Sequence, residues 1–165
     1  EIGSGLVGSE MCIRDSNYMG KRMILPFNLL ILKVFHAQKN RVRPAMAEIG
    51  LSPGQPKLLT FLALHGECLQ KELAAACDIE PATISKLLNL LEENGLIARS
   101  DRAGDRRAVA VDLTEKGRQL YENEIRVRIE KINSDALRDF SEAERQEFER
   151  YLRRMYRNLT GMPLD

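Results

Sequence analysis

Apolar residues fall into three successive patterns along the chain. Phe27, Leu30, Ile31, Val34, Phe35, Val42, Met46 and Ile49 recur at helical spacing and predict a first helix over Phe27–Ile49 with a broad apolar stripe. Gly50 is placed to end it as a C′ residue, and Pro44 inside the run predicts a kink or an imperfect turn. Ser52-Pro53-Gly54-Gln55 reads as the next start, with Ser52 as N-cap, Pro53 at N1 and Gln55 at N3 of a capping box. That helix is expected to reach about His65, with Leu58, Leu59, Phe61 and Leu62 in the core and Gly66 closing it. A short helix over Gln70–Cys77 follows, carrying Leu73, Ala74 and Ala76. Asp78 suits a turn. Pro81 then opens Ala82–Asn94, with Ile84, Leu87, Leu88 and Leu91 on one face and Gly95 at the end. Two short helices joined by a tight turn, the second amphipathic, form a helix-turn-helix candidate.

The period then shortens. Leu96–Ser100 and Ala108–Leu113 are β-prone, the latter alternating through Val109, Val111 and Leu113, and polar Asp101–Arg107 lies between them. This predicts a β-hairpin with a basic tip. Helical spacing returns after Thr114, which caps a long charged helix from Glu115 to about Arg138. Ser141 with Glu144 at N3 caps the last helix, which carries Phe148, Leu152, Met155 and Leu159 before Gly161 and Pro163 stop it. The expected fold is mainly α with a small β-hairpin wing, a winged helix-turn-helix with N- and C-terminal dimerisation helices. The division expected is 17–51, 52–113, 114–160 and a tail, 161–165. The terminal helices carry apolar stripes that a small wing domain cannot cover alone. A second copy of the chain would bury them, as would packing back on the same chain.

Residues 1–16, EIGSGLVGSEMCIRDS, show no period and lack the basic start and apolar stretch of a signal peptide. Leu6–Ser16 matches the translation of a transposase-type sequencing adapter. The segment is read as library sequence joined to a genuine frame, with an ordinary disordered tail as the alternative. The native start is then Met19, Met23 or a missing residue, and Cys12 leaves any redox argument. Arg14 stands there against Glu1, Glu10 and Asp15, so the remainder carries +3 where the whole chain carries +1.

Composition narrows the classes. With 44% hydrophobic and 30% charged residues in 165, the chain reads as globular rather than disordered. No apolar run reaches the roughly 18–20 residues that span a bilayer, so no membrane partner is expected. Three cysteines make a disulfide framework improbable and suit a reducing, cytoplasmic setting. Aromatics are 5% with no Trp, and there are two histidines, so neither a cofactor nor a metal is expected. The absence of a nucleophile–base pair, a glycine-rich phosphate loop and matched carboxylates argues against an enzyme.

DNA binding needs an element that fits the major groove and cations that neutralise phosphate. Opposite the leucines of the second short helix stand Thr83, Ser85, Lys86 and Asn89, able to bond base edges or phosphates, with Pro81, Ala82 and Thr83 at the leading tip. Gln70, opening the preceding helix, joins this set. Alone, such a face is more often merely solvated. The hairpin shifts the balance: Arg99, Arg102, Arg106 and Arg107 are offset only by Asp101 and Asp105. Arg102 and Arg106 are assigned to DNA, the tip suiting a minor groove. Arg107 is divided between DNA and a structural pairing with Asp105 that stiffens the wing.

These residues carry a resemblance. DRRAVAVDLT, Asp105–Thr114, matches the D-x-R-x5-L-T signature of the MarR (multiple antibiotic resistance regulator) family, and LTEKG extends it to Gly117. LSPGQPKLL, QKELA and EPATISKLLNLLEENGLI resemble that family in the expected order, so the likeness spans about Phe27–Leu159. It implies a triangular homodimer joined through its first and last helices, with recognition helices in successive major grooves of double-stranded DNA and wings in minor grooves. It also implies a palindromic operator, repression, and release by a small aromatic or anionic effector. Two positions depart: Glu80 replaces the Ser, Asp or Thr usual before the recognition-helix proline, and Leu69 replaces a capping Thr or Ser.

For sensing, Cys77 reads as an inert core thiol and Cys68, beside Glu67, is ill-placed to be a thiolate. His36 and His65 make a weak zinc pair. An effector pocket is expected between the first helix and Ser52–His65, with His36, Arg43 and His65 as polar candidates. The rival class is a winged helix that binds protein, its wing charges merely solvated.

Overall fold

The computed structural model describes residues 25–102 and 105–164, and the side chains of all of these except 101, 102 and 105–108. The adapter-like segment, residues 1–16, lies outside the described residues. The elements run α1 (Phe27–Ala47), α2 (Gln55–His65), β1 (Cys68–Leu69), α3 (Gln70–Ala76), α4 (Pro81–Glu93), β2 (Ile97–Arg102), β3 (Asp105–Leu113), α5 (Glu115–Leu120), a π turn (Tyr121–Ile125), α6 (Arg126–Ala136) and α7 (Glu142–Thr160). The sheet is antiparallel in the order β1-β3-β2. The hairpin is the expected one, but β1 is new: two residues are too short to show a period, and it exists because Cys68 pairs with Val111 and Leu69 with Ala110.

The core lies in the middle of the chain. Leu58, Leu59 and Leu62 of α2, Leu73 of α3, and Ile84, Leu88 and Leu91 of α4 are buried against Ile97 and Val111 of the sheet. The flanking helices send in only a few residues, Met46 from α1 and Tyr121 and Ile125 from the π turn. By contrast α6 and α7 contain no buried residue, and on α1 Phe27 is 65% exposed and Val34 57%. α1 packs on α6, where Arg41 meets Asp135 at 3.1 Å and Arg128 meets Glu48 at 2.7 Å. The helix is continuous through Pro44. No helix among the described residues is long and apolar enough to cross a membrane.

Two expected elements are corrected. α2 begins at Gln55, not at Pro53, because Gly54 adopts φ +95° and serves as N-cap, with Pro56 in the first turn. Only half of the expected capping box forms: Gln55 Oε1 accepts from the Ser52 N–H at 2.8 Å, while the Ser52 hydroxyl caps nothing. Gly54 is needed there twice over, since a Cβ would also sit 2.9 Å from Leu87 Cδ1 of α4. The single helix expected from Glu115 to Arg138 is wound as α5, π turn and α6. Gly117, Tyr121 and Ile125 are all buried at four-residue intervals. In an α-helix that spacing drifts by about 40° per step. The wider i→i+5 turn, closed by Arg126 N–H on the Tyr121 carbonyl, offsets the drift and keeps the three on one face.

α5 lies directly on the strand that leaves α4. A Cβ on Gly117 would come within 2.0 Å of the Leu96 carbonyl oxygen, so only glycine fits. Gly117→Ala should therefore cost about 1–3 kcal/mol through backbone displacement, lowering the thermal midpoint by several degrees in a circular-dichroism melt. An unchanged midpoint would show that α5 can lift from the sheet freely.

Candidate nucleic-acid interface

α4 is held by its inner face and open on its outer one. Ile84, Leu88 and Leu91 are at most 1% exposed, while Pro81, Ala82, Thr83, Lys86 and Asn89 are exposed and Ser85 is half-buried. The amphipathic period places Ala82, Lys86 and Asn89 near the centre of the outward face, each turn of about 3.6 residues returning to it. Pro81 presets the first turn. Glu80 provides no side-chain cap, but its carbonyl accepts from the Thr83 and Ile84 N–H groups. The turn from α3 passes through Asp78 at φ +45°, a left-handed position that Asp tolerates, and closes with Ile79 N–H on the Ala74 carbonyl at 2.9 Å. At α3, Glu72 accepts from the Leu69 N–H at 3.0 Å, the half of a capping box that needs no hydroxyl at Leu69.

Two of the sequence-predicted site residues are turned on each other. Gln70 Nε2 donates to Ser85 Oγ at 3.1 Å, and Ser85 Oγ donates to the Pro81 carbonyl at 3.4 Å. This chain of bonds fixes the start of α3 against the first turn of α4. Thr83 and Lys86 are left outward and exposed. Arg102, Asp105, Arg106 and Arg107 lie on the hairpin strands, with Arg102 opposite Asp105 at a register shift. Their side chains, and so the Asp105–Arg107 pairing and the minor-groove assignment, lie outside the described residues.

Arg99, counted only among the wing cations, turns inward onto α4. Its Nε donates to Glu92 Oε2 at 2.9 Å, its Nη2 makes a second, shorter contact to the same carboxylate, and Nη2 also donates to Asn89 Oδ1 at 2.8 Å. The Arg99 guanidinium holds the Glu92 carboxyl below the usual carboxylate range. The signal was present in opposite charges flanking the Gly95 turn. Two further contacts lock that turn: Lys116 Nζ donates to the Asn94 carbonyl at 2.7 Å, and Thr114 Oγ1 to the Gly95 carbonyl at 2.6 Å. Lys116 thus satisfies a C-terminal carbonyl of α4 and opposes its dipole.

The effector candidates are not brought together in the single chain. His36, Arg43 and His65 are exposed, and His65 stacks on Phe61 at 4.4 Å between ring centroids. A cavity on α7 is walled instead by Arg150, Arg153, Arg154 and Arg157 with Pro163 and Leu164. Cys77 is buried, its Sγ 3.8 Å from the Lys57 carbonyl. Burial pushes both thiols up, and for Cys68 the Glu72 carboxylate adds to the rise. Both are therefore poor thiolates. No group of three His, Cys, Asp or Glu among the described residues could hold a metal.

Comparison with known proteins agrees with this geometry. A family model described as the MarR family matches residues 49–108. The putative transcriptional regulatory protein for the hcr operon of Thauera aromatica is 32% identical over 114 residues, 69% of this chain and 68% of its own. The HTH-type transcriptional repressor MdtR of Bacillus subtilis is 26% identical over 101 residues, 61% of this chain and 65% of its own. Among solved structures, MarR superposes with a TM-score of 0.70 at 25% identity, covering 84% of this chain and 100% of that one. The DNA complex of S. aureus MepR shares the fold, with a TM-score of 0.72 at 24% identity over 81% of this chain and 98% of that one.

The Arg99 clamp makes a checkable statement about protonation. A carboxyl whose folded pKa is depressed contributes stability above its unfolded value and loses it as pH falls through the folded one. In a carbon-detected NMR titration Glu92 should titrate below an ordinary glutamate, and Arg99→Ala should return it upward. A Glu92 midpoint indifferent to Arg99→Ala would mean that the pair does not persist in solution.

Proposed function

Since the chain belongs to the MarR family of transcriptional regulators, we propose that it is a homodimeric, sequence-specific repressor that places α4 in the major groove of a palindromic operator. The observation that carries this reading is the outward face of α4, where Thr83, Lys86 and Asn89 stand exposed on a helix anchored from behind by Ile84, Leu88 and Leu91. Thr83 and Asn89 offer donors and acceptors to base edges, and Lys86 offers charge to phosphate. Gln70 and Ser85 act on this reading through each other, setting the angle of the first turn of α4. Arg102, Arg106 and Arg107 extend the contact from the wing to a minor groove.

The uncovered apolar faces support the dimer. Val34 and Phe35 on α1, and Phe148, Leu152 and Leu159 on α7, are large, exposed and at helical spacing. Segments 17–51 and 114–160 are assigned to dimerisation and 52–113 to DNA. A regulator of this kind works in the cytoplasm, where its operator is. A small aromatic or anionic effector is assigned to the cleft beside α1 and α2, with His36, Arg43 and His65 as its polar contacts.

Mobility shift on the intergenic DNA upstream of the gene tests DNA binding. Affinity should fall steeply with salt, Lys86→Ala should reduce the log–log salt slope by about one, and Arg106→Ala should weaken binding at every salt concentration. Salt-independent association, or none with any duplex, would favour a winged helix that binds protein. Sedimentation equilibrium tests assembly: the chain should run as a dimer, and Leu152→Glu, at an exposed site of the single chain, should give a folded monomer with weakened DNA binding. A wild-type monomer at micromolar concentration would remove the dimer.

A further inference from the structure

Asn89 ordinarily has two faces to offer a base. Its Oδ1 accepts and its Nδ2 donates, and together they match the N6–H2 and N7 of adenine. Here one face is taken. Arg99 has no acceptor atom, so the Asn89 atom 2.8 Å from Arg99 Nη2 must be Oδ1. The guanidinium is not free to wander, since Glu92 holds it through both Nε and Nη2. Glu92 sits on the same helix as Asn89, and the Arg99 side chain is only 24% exposed. The clamp therefore travels with α4 rather than with the wing tip, and what Asn89 presents outward is the Nδ2 amide with two hydrogens and no lone pair.

Resting on the DNA-binding reading above, the geometry points to Arg99 as a specificity-positioning residue that converts Asn89 from an adenine reader into a donor-only group, selecting a base with a major-groove acceptor, guanine or thymine. Guanine offers O6 and N7, and thymine offers O4. Cytosine meets the amide with its own N4–H2 donor, two donors facing each other. Adenine keeps N7 as a partner but leaves its N6–H2 without the acceptor that a free asparagine would supply. Arg99 touches no base in this arrangement. It acts through Asn89, and Glu92 acts through Arg99.

Selection from a random double-stranded DNA pool, using the full chain, tests this. The position read by residue 89 is identified first, as the one whose preference disappears in Asn89→Ala. Wild type should prefer guanine or thymine there over adenine by about tenfold. Arg99→Ala, which frees Oδ1, should move that position to adenine and leave the rest of the motif in place. Asn89→Asp provides a second route that keeps a partner for Arg99. It replaces the outward amide by an acceptor and should move the position to cytosine, whose N4–H2 it can accept. Adenine already preferred by wild type would overturn the inference, as would an Asn89→Ala motif identical to wild type, or an Arg99→Ala motif unchanged at that position. A pool from which wild type enriches no sequence at all would instead remove the DNA reading, and this inference with it.

Discussion

The structure depends on the burial of one face of one helix. Ile84, Leu88 and Leu91 of α4 are packed against α2 and the sheet, and truncating any one of them to alanine would cost on the order of 2–5 kcal/mol. That face decides everything the opposite face can do. Because the leucines cannot rotate out of the core, Thr83, Lys86 and Asn89 cannot rotate into it. The polar bonds around α4 then refine a direction that the apolar contact has already chosen. Gln70 and Ser85 set its first turn, Arg99 and Glu92 its last, and Lys116 with Thr114 its exit.

Those polar bonds are individually weak, since each is at least partly exposed and exchanges protein partners for water. Their value is geometric. Arg99 and Lys116 reach α4 from β2 and α5, elements on either side of the hairpin. The base of the wing and the recognition helix are therefore one body, while the tip beyond Asp101 is joined to it only through two strands with a register shift. Close contact of Gly117 with the Leu96 carbonyl makes the same body include the start of the helix that leads away from it.

Much of this was legible in the sequence, and the reasons differ by element. α1, α3, α4 and α7 were readable because an apolar period coincided with a chemical start or stop: Pro81 before α4, Ser141 with Glu144 before α7, Gly161 after it. α2 was misplaced by two residues because Ser-Pro-Gly-Gln satisfies a capping pattern that the φ of Gly54 interrupts, and the better signal, Pro56, was passed over. The π turn was invisible because its cause is tertiary: three residues four apart must all face the core. At the candidate site the residue types on α4 could be read from its period. The partnerships could not, since Gln70–Ser85 and Arg99–Asn89 join residues 15 and 10 apart across turns whose geometry no local pattern specifies.

The π turn has a consequence for how the molecule can vary. Winding one extra residue into a helix is an indel accommodated without breaking the rod. Deleting a residue between Tyr121 and Ile125 would restore ordinary winding, yet everything beyond it would swing by about 100° and retreat by about 1.5 Å. The apolar stripes of α7 would then point in a new azimuth relative to α4, although neither helix had changed a residue. In a two-fold assembly that angle becomes the span between the two reading heads. A gain or loss of one codon here would act as a coarse gear on half-site spacing, leaving the chemistry of recognition untouched.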